Sequence, residues 1–415
     1  MEKTAEQIYN EFTVQLSKWA QDGKIPETGN QDISYGLNLQ KKRLERHHAR
    51  MKYEFKERDR LPESVTTLEF ASAKYRNKAA WKSYRKRVEY YKEDELCFST
   101  EDNEHLYTII TWLKDAEDTS METTYCCPNC GAISEVRVLL ECCPYCHTRF
   151  LMSDLFPKIT NFYFMMDYGL KEDEGKRTVR IWTAAGALVS VAAALPGVLE
   201  KLLHGGGLFP LLALILPACA GAVVGYFILS FWTLGGLMKE TFLHAPKSLK
   251  NLSAMKGLTD FMRSYDPDFS FEYFRGKVQA LMKILIFTED RSRLSIYEGQ
   301  VDGSGFDDII DSQFGNAIGL NGHRVEGDYC YLDLTVYMAD VYCRNHQINR
   351  QMDQFRLGLC RNISHPADYG FSIKKVNCRS CGASFDASME GICPYCKSKY
   401  DLKEDDWVIT DVRKM

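Results

Sequence analysis

The chain has no surplus of charge. It carries 52 basic and 56 acidic residues in 415, so nothing in the total pushes it toward nucleic acid. It has no phosphate-cradling glycine loop, no dinucleotide fingerprint and no nucleophile–base pattern. Its nine histidines are isolated, apart from the pair His47-His48. These absences argue against an enzyme, although cone-shaped folds sometimes house active sites. No catalytic or cofactor-binding residue is therefore assigned. The opening MEKTAEQIYNEFTVQLSKW lacks an apolar run and carries early acids, so no cleaved targeting segment is expected.

Cysteine is what the chain has in excess. Eight of its 15 cysteines fall in four C-x-x-C pairs, which points to metal in a reducing compartment rather than to disulfides. The first two pairs are Cys127/Cys130 and Cys143/Cys146, with 12 residues between the pairs. The last two are Cys378/Cys381 and Cys393/Cys396, with 11 between. Each C-x-x-C-G turn forms a knuckle whose backbone amides face the sulfurs, and two knuckles complete a tetrahedron. Four thiolates leave no open position, so two structural zinc ions are expected, and no catalytic one. The competing reading is a set of redox C-x-x-C motifs.

The two clusters are copies. CGA follows the first knuckle in both and CPYC forms the second. Arg149-Phe150 corresponds to Lys399-Tyr400, and Ile159-Thr160 to Ile409-Thr410. This repeat settles the ligands within ECCPYCHTRF: Cys143 and Cys146 belong to the shell, while Cys126, Cys142 and His147 fall outside it.

Long uncharged runs occupy the middle. Ile181–Leu199 is 19 residues without a charge, enough for a helix across a hydrocarbon core of roughly 30 Å. After EKLLHGGG, Leu208–Met238 is also uncharged. Small residues recur every four positions at Gly186, Ser190 and Ala194, and at Ala218, Ala222, Gly221 and Gly225, a pattern that lets helices approach closely in lipid. A two-helix transmembrane hairpin over 180–239 is expected; the alternative is a buried helix pair in a soluble fold. Lysine and arginine gather outside both spans, which would place both termini in the cytoplasm of a multi-pass protein.

The C-terminal part, 251–415, reads as α+β. Helices are expected over Lys256–Ser264 and Ser270–Phe287. Tyr329–Cys343 alternates strictly and reads as a half-buried strand, with Met352–Cys360, Phe371–Val376 and Trp407–Val412 as further strands. The second ribbon, 376–400, would then be inserted between the last two strands of a curved sheet. The helix DPDFSFEYFRGKVQALMKILIF, the strands after it and the closing WVITDV resemble the Tim-forty-four-like domain family. That family includes the mitochondrial import-motor tether, mitochondrial ribosome receptors and bacterial membrane proteins. The resemblance spans about 255–415 and carries no invariant motif. It implies a cone of helix and curved antiparallel sheet that binds proteins or lipids at a membrane, here the bacterial cytoplasmic membrane. The ribbon insert and the fused hairpin depart from the family. The tyrosine side of Tyr329–Tyr337 either lines the cone's groove or faces solvent.

Residues 1–122 are expected to be a charged helical arm, followed by a ribbon with an adjoining strand over 123–170. Gln40–Arg60 has nine basic and four acidic residues, and Lys74–Lys92 eight and one, before an acidic stretch at Glu93–Glu122. The basic stretches suit a solvated helix face paired with the acids, contact with anionic lipid, or RNA and ribosome contact. The layout and the resemblance together lead to a membrane-anchored zinc-binding scaffold or adaptor in protein transport or membrane-protein biogenesis. A ribosome or RNA receptor is the alternative, and a zinc or redox sensor using Cys126 and Cys142 is a third reading.

Overall fold

A computed structural model describes residues 3–57, 65–71, 75–113, 124–127, 130–139, 142–147, 157–166, 172–203, 214–228, 256–300, 305–344 and 347–415. It divides into two compact units. One joins Met1–Asp167 to Asn251–Met415, and the other is Tyr168–Lys250.

The first unit begins with helix α1, Ala5–Asp22. Thr4 and Gln7 close a capping box at its start, and Gly23 ends it in the left-handed conformation at φ 73°. Its apolar stripe (Ile8, Phe12, Leu16, Trp19) is buried. Helix α2, Gln31–Arg46, is capped by Asn30. Strands β1 (Ala49–Glu57), β2 (Thr66–Ala71), β3 (Tyr75–Lys92) and β4 (Glu95–Leu113) follow. Next come the short ribbon strands β5 (Thr124–Cys126) and β6 (Ile133–Glu135), the turn of helix α3 (Val136–Leu139) and strand β7 (Lys158–Met166). The antiparallel sheet runs β1-β3-β4-β7, with β2 beside β3.

The expected helical arm is thus corrected: most of the basic stretches are strands. Their cations hid a period of two. Along β3 the buried positions include Tyr84, Lys86, Val88 and Tyr90, and a lysine on the inward face breaks any apolar count. The acids following them form the partner strand, so Arg87 pairs in register with Glu101 and Lys86 with Asp102. Basic and acidic stretches do face each other, but across a hairpin rather than along helices.

In the C-terminal half, helix α6 spans 256–263 and α7 spans Phe271–Phe287, capped by Ser270. Strands β8 (Ile309–Glu326), β9 (Tyr329–Arg344) and β10 (Gln347–Asn362) form a meander. Then come ribbon strands β11 (Val376–Asn377) and β12 (Ser384–Phe385), and β13 (Val408–Lys414). The sheet order is β13-β10-β9-β8. The core lies between α7 and the sheet: Phe274, Val278, Leu281 and Leu285 share one cluster with Leu332, Leu334, Val336 and Leu357. The expected strand at Phe371–Val376 is mostly turn, because the Phe371 amide donates to Asp368 O and the Lys375 amide to Ser372 O. Strand β8 was not expected, since Gly315, Gly319 and Gly322 interrupt its alternation, and its register shifts three times.

The two halves share one plan that goes well beyond the ribbon repeat. Each has a helix, an antiparallel run of strands (β1–β4 in the first half, β8–β10 in the second), a four-cysteine ribbon and a closing edge strand beside the last strand of that run. The closing strands agree in detail. Ile159 pairs with Ile110 and Asn161 with Ile109; Ile409 pairs with Leu359 and Asp411 with Gly358. Thr160 and Thr410 are therefore the extra residues of matching bulges. A side chain on Gly358 would meet Thr410 Oγ1 at 2.6 Å. Each isoleucine also makes a parallel bridge to the chain after the helix, Ile159 with Gly29 and Ile409 with Tyr297. Among the described residues no helix of the second half lies between its bridge residue Tyr297 and β8 as α2 lies between Gly29 and β1.

Buried polar contacts join the halves. Arg43 Nη1 donates to Phe306 O (2.6 Å) and Asp307 O (2.9 Å), and Gln40 Nε2 donates to Asp311 Oδ1 (2.7 Å). Tyr90 Oη donates to Asp311 Oδ2 (2.7 Å), and Lys86 Nζ to Gln313 Oε1 (2.7 Å).

The second unit contains α4, Glu172–Leu203, and α5, Ile215–Ile228. Among the described residues one helix, over Arg180–Glu200, is long and apolar enough to cross a membrane. At 14 residues α5 falls short of a span, and the rest of the expected second span lies outside the described residues. The two-span hairpin therefore reduces here to one spanning-length helix and a shorter apolar one. They touch at the small residues: a Cβ on Gly186 would strike Gly221 O, and one on Gly225 would strike Trp182 O.

Candidate metal centres

Each ribbon starts from a short hairpin that carries a knuckle. In the first, the Cys127 amide donates to Ala132 O (2.8 Å) and the Gly131 amide to Cys127 O (2.9 Å). In the second, Cys378 and Gly382 repeat both bonds, to Ala383 O (2.9 Å) and Cys378 O (2.8 Å). Gly131 and Gly382 turn the chain at φ 73° and 72°, a conformation that disfavours any residue with a Cβ. The second knuckles match as well: His147 and Lys397 both sit at positive φ, their amides donating to Cys143 O and Cys393 O at 2.9 Å.

These turns gather the eight predicted ligands into two groups, Cys127, Cys130, Cys143 and Cys146, and Cys378, Cys381, Cys393 and Cys396. Cys127 Sγ lies 3.7 Å from Cys146 Sγ, and Cys130 Sγ 3.6 Å from Cys143 Sγ. In the other group Cys378 and Cys396 are 3.6 Å apart, and Cys381 and Cys393 3.7 Å. A tetrahedron with zinc–sulfur bonds of about 2.3 Å has sulfur separations of roughly 3.8 Å. Two separations in each group thus match a tetrahedral site, and all four sulfurs lie within 4.8 Å of one another, close enough to hold a metal ion. None of the pairs is at disulfide length, about 2.05 Å.

In the second group a hydroxyl favours the thiolate at two of the four sulfurs, while the surrounding thiols push Cys381 up. Ser398 Oγ lies 3.2 Å from Cys378 Sγ and 3.0 Å from Cys396 Sγ. That hydroxyl first, and then the Cys381 and Ser380 amides, pull the Cys378 thiol down to about 6. Cys396 is lowered by the Ser398 hydroxyl and amide. Cys142 is half-buried and outside the thiol group, and the His147 side chain is exposed. Cys126 lies on β5, one residue before the first ligand.

The tyrosine side of β9 does not line an apolar groove. It borders an open polar surface with His323, Arg324, Tyr331, Asp333, Arg356 and Arg413, and Arg356 clamps Asp333. The apolar side carries the core under α7.

Sequence reasoning missed two buried polar groups. One is the Lys86, Glu104, Gln313 and Asp311 network between the halves. The other is a cavity between α2 and α7 that Lys277, Gln279 and Lys283 help to line. Lysines on an otherwise apolar helix face were the only signal of the second.

Fold and sites define an α+β protein of two similar halves, each with a four-cysteine centre that could hold a metal ion, and a separate apolar helical unit. No family model matches the chain, and neither curated proteins nor solved structures return a match.

Proposed function

We propose that the chain is a membrane-anchored zinc-binding scaffold or adaptor, holding proteins or lipids at the cytoplasmic membrane face in protein transport or membrane-protein biogenesis. The observation that carries the reading is α4. Its apolar stretch is only 6% buried, with Ile181, Leu188, Val189, Leu195 and Leu199 exposed. A bare helical surface of this kind is at home in lipid. The close approach of α4 and α5 at glycines supports a hairpin that returns to the cytoplasm. The four-thiol geometry supports two structural zinc ions, each closed to substrate. The helix-over-antiparallel-sheet plan of 256–415 supports the resemblance to the Tim-forty-four-like domain; the duplication of that plan departs from it.

The ribosome or RNA reading is not carried further. It was drawn from the basic arm and the ribbons, and in that arm Lys78, Lys82, Lys86, Arg85 and Arg87 are in ion pairs with Glu69, Glu57, Glu104, Glu101 and Glu89.

The test is fractionation followed by cross-linking of the full chain in native membranes. It should stay with the pellet through an alkaline carbonate wash, dissolve in detergent, and cross-link to membrane proteins or lipids through 256–415. Release by carbonate refutes the anchor. Retention without any cross-linked partner refutes the scaffold.

A further inference from the structure

A cavity of about 50 Å³ lies between α2, β7 and α7. Asp32, Leu37, Phe162, Gln279, Lys283 and Ile284 are among its lining residues. Two of these are incompletely satisfied. Gln279 is 1% exposed, and neither its Nε2 nor its Oε1 has a hydrogen-bond partner among the described residues. The pair is unusual, because a buried carboxamide without either bond loses its hydration with no compensation. Lys283, one helical turn further along the same face, forms no ion pair among the described residues. Its ammonium stands 5.3 Å from the centre of the Phe162 ring. Burial lowers it to about 8, with Asp311 pulling it up and Lys86 pushing it down.

The other lining charges are engaged. Lys277 pairs with Asp406, and Asp32 accepts from Ser372 Oγ (2.7 Å). The cavity thus offers a cation without an ion pair among the described residues, one free donor and one free acceptor against an apolar wall. Water can satisfy the amide but supplies no counter-charge to the ammonium.

We propose that this cavity binds a small carboxylate that carries a hydrogen-bond donor beside the carboxyl group. The carboxylate meets Lys283 Nζ and Gln279 Nε2, and the donor meets Gln279 Oε1. At roughly 10–15 Å³ of this measure per water-sized group, the space takes about four such groups, the size of a two-carbon acid. The donor can be a hydroxyl or an ammonium, so glycolate and glycine both belong to the class. Binding would bridge α2 of the first half to α7 of the second.

The test uses the purified full chain in detergent and follows its thermal midpoint with glycolate, glycine, acetate, glycolamide and matched sodium chloride. At a hundredfold excess over Kd a ligand specific to the native state should raise the midpoint by about 4 °C. Glycolate or glycine is expected to do so, acetate less, and glycolamide and chloride not at all. Lys283→Met should abolish the shift, and Gln279→Leu should reduce it. Lys283→Met should itself fold, because it replaces a half-buried cation that has no ion pair among the described residues by an apolar side chain of similar volume. Absence of a shift with either acid overturns the proposal. So does an equal shift with chloride, or an unchanged shift in Lys283→Met. None of these outcomes bears on the membrane anchor or the metal centres.

Discussion

Replacing Lys86 by methionine should unlock the junction of the two halves. Lys86 is 2% exposed and Glu104 3%. The ammonium reaches Glu104 and Gln313 Oε1 (2.7 Å) and lies 3.6 Å from the Phe164 ring centre. Methionine fills the volume but leaves the Glu104 carboxylate buried without its cation, which costs about 3–5 kcal/mol. Unfolding entropy near 2.1 cal/mol/K per residue, over the first unit, gives roughly 0.7 kcal/mol per degree. The expected loss in thermal midpoint is therefore about 4–7 °C. Glu104→Leu alone should cost a similar amount. The double substitution should recover most of the loss, because an apolar pair of similar volume can replace a buried ion pair at little cost. Calorimetry of the three variants checks this. A Lys86→Met variant within about 1 °C of the parent, or a double variant as weak as the summed singles, would refute the reasoning.

Three further outcomes are expected. Burial, first of all, holds the Asp340 carboxyl well above its ordinary 3.8, with Ser312 opposing and Asp353 adding to the rise. A raised carboxyl contributes its stability fully below the unfolded value and loses it as pH rises through the folded one. Asp340→Asn should therefore stabilise the protein by about 1–2 kcal/mol at pH 7.5 and change little near pH 4; denaturant titrations at both pH values test the sign, and an equal effect at both would contradict it. In the first ribbon, Cys142→Ser and His147→Lys should alter stability by less than about 0.5 kcal/mol and leave metal content unchanged. His147→Val should destabilise by about 1–2 kcal/mol, since a β-branched residue resists the positive φ of 56°; metal analysis and melting would show otherwise if His147 were a ligand.

The legible parts of this protein were those carried by local chemistry. C-x-x-C-G encodes a knuckle within five residues, so the cysteines that cluster could be named from spacing, and the copied CPYC fixed their register. Helix α7 was legible from Ser270 and its apolar periodicity, and β9 from its alternation. The first sheet was hidden because its inward positions hold Lys86, Asn77 and Glu104, which are satisfied only by partners far along the chain. The duplication was also hidden outside the ribbons. Its strongest marks, the bulges at Thr160 and Thr410 and the bridges at Ile159 and Ile409, are backbone pairings between distant segments. The cavity at Gln279 and Lys283 is lined by both α2 and α7, elements far apart in the chain, and no local pattern announces it.

Metal analysis of the purified full chain tests the central claim most directly. The account predicts two zinc ions per chain, one for each thiol group. Cys143→Ser with Cys146→Ser should leave one, and so should Cys393→Ser with Cys396→Ser. A metal-free chain that melts normally, or a zinc content indifferent to these substitutions, would contradict it.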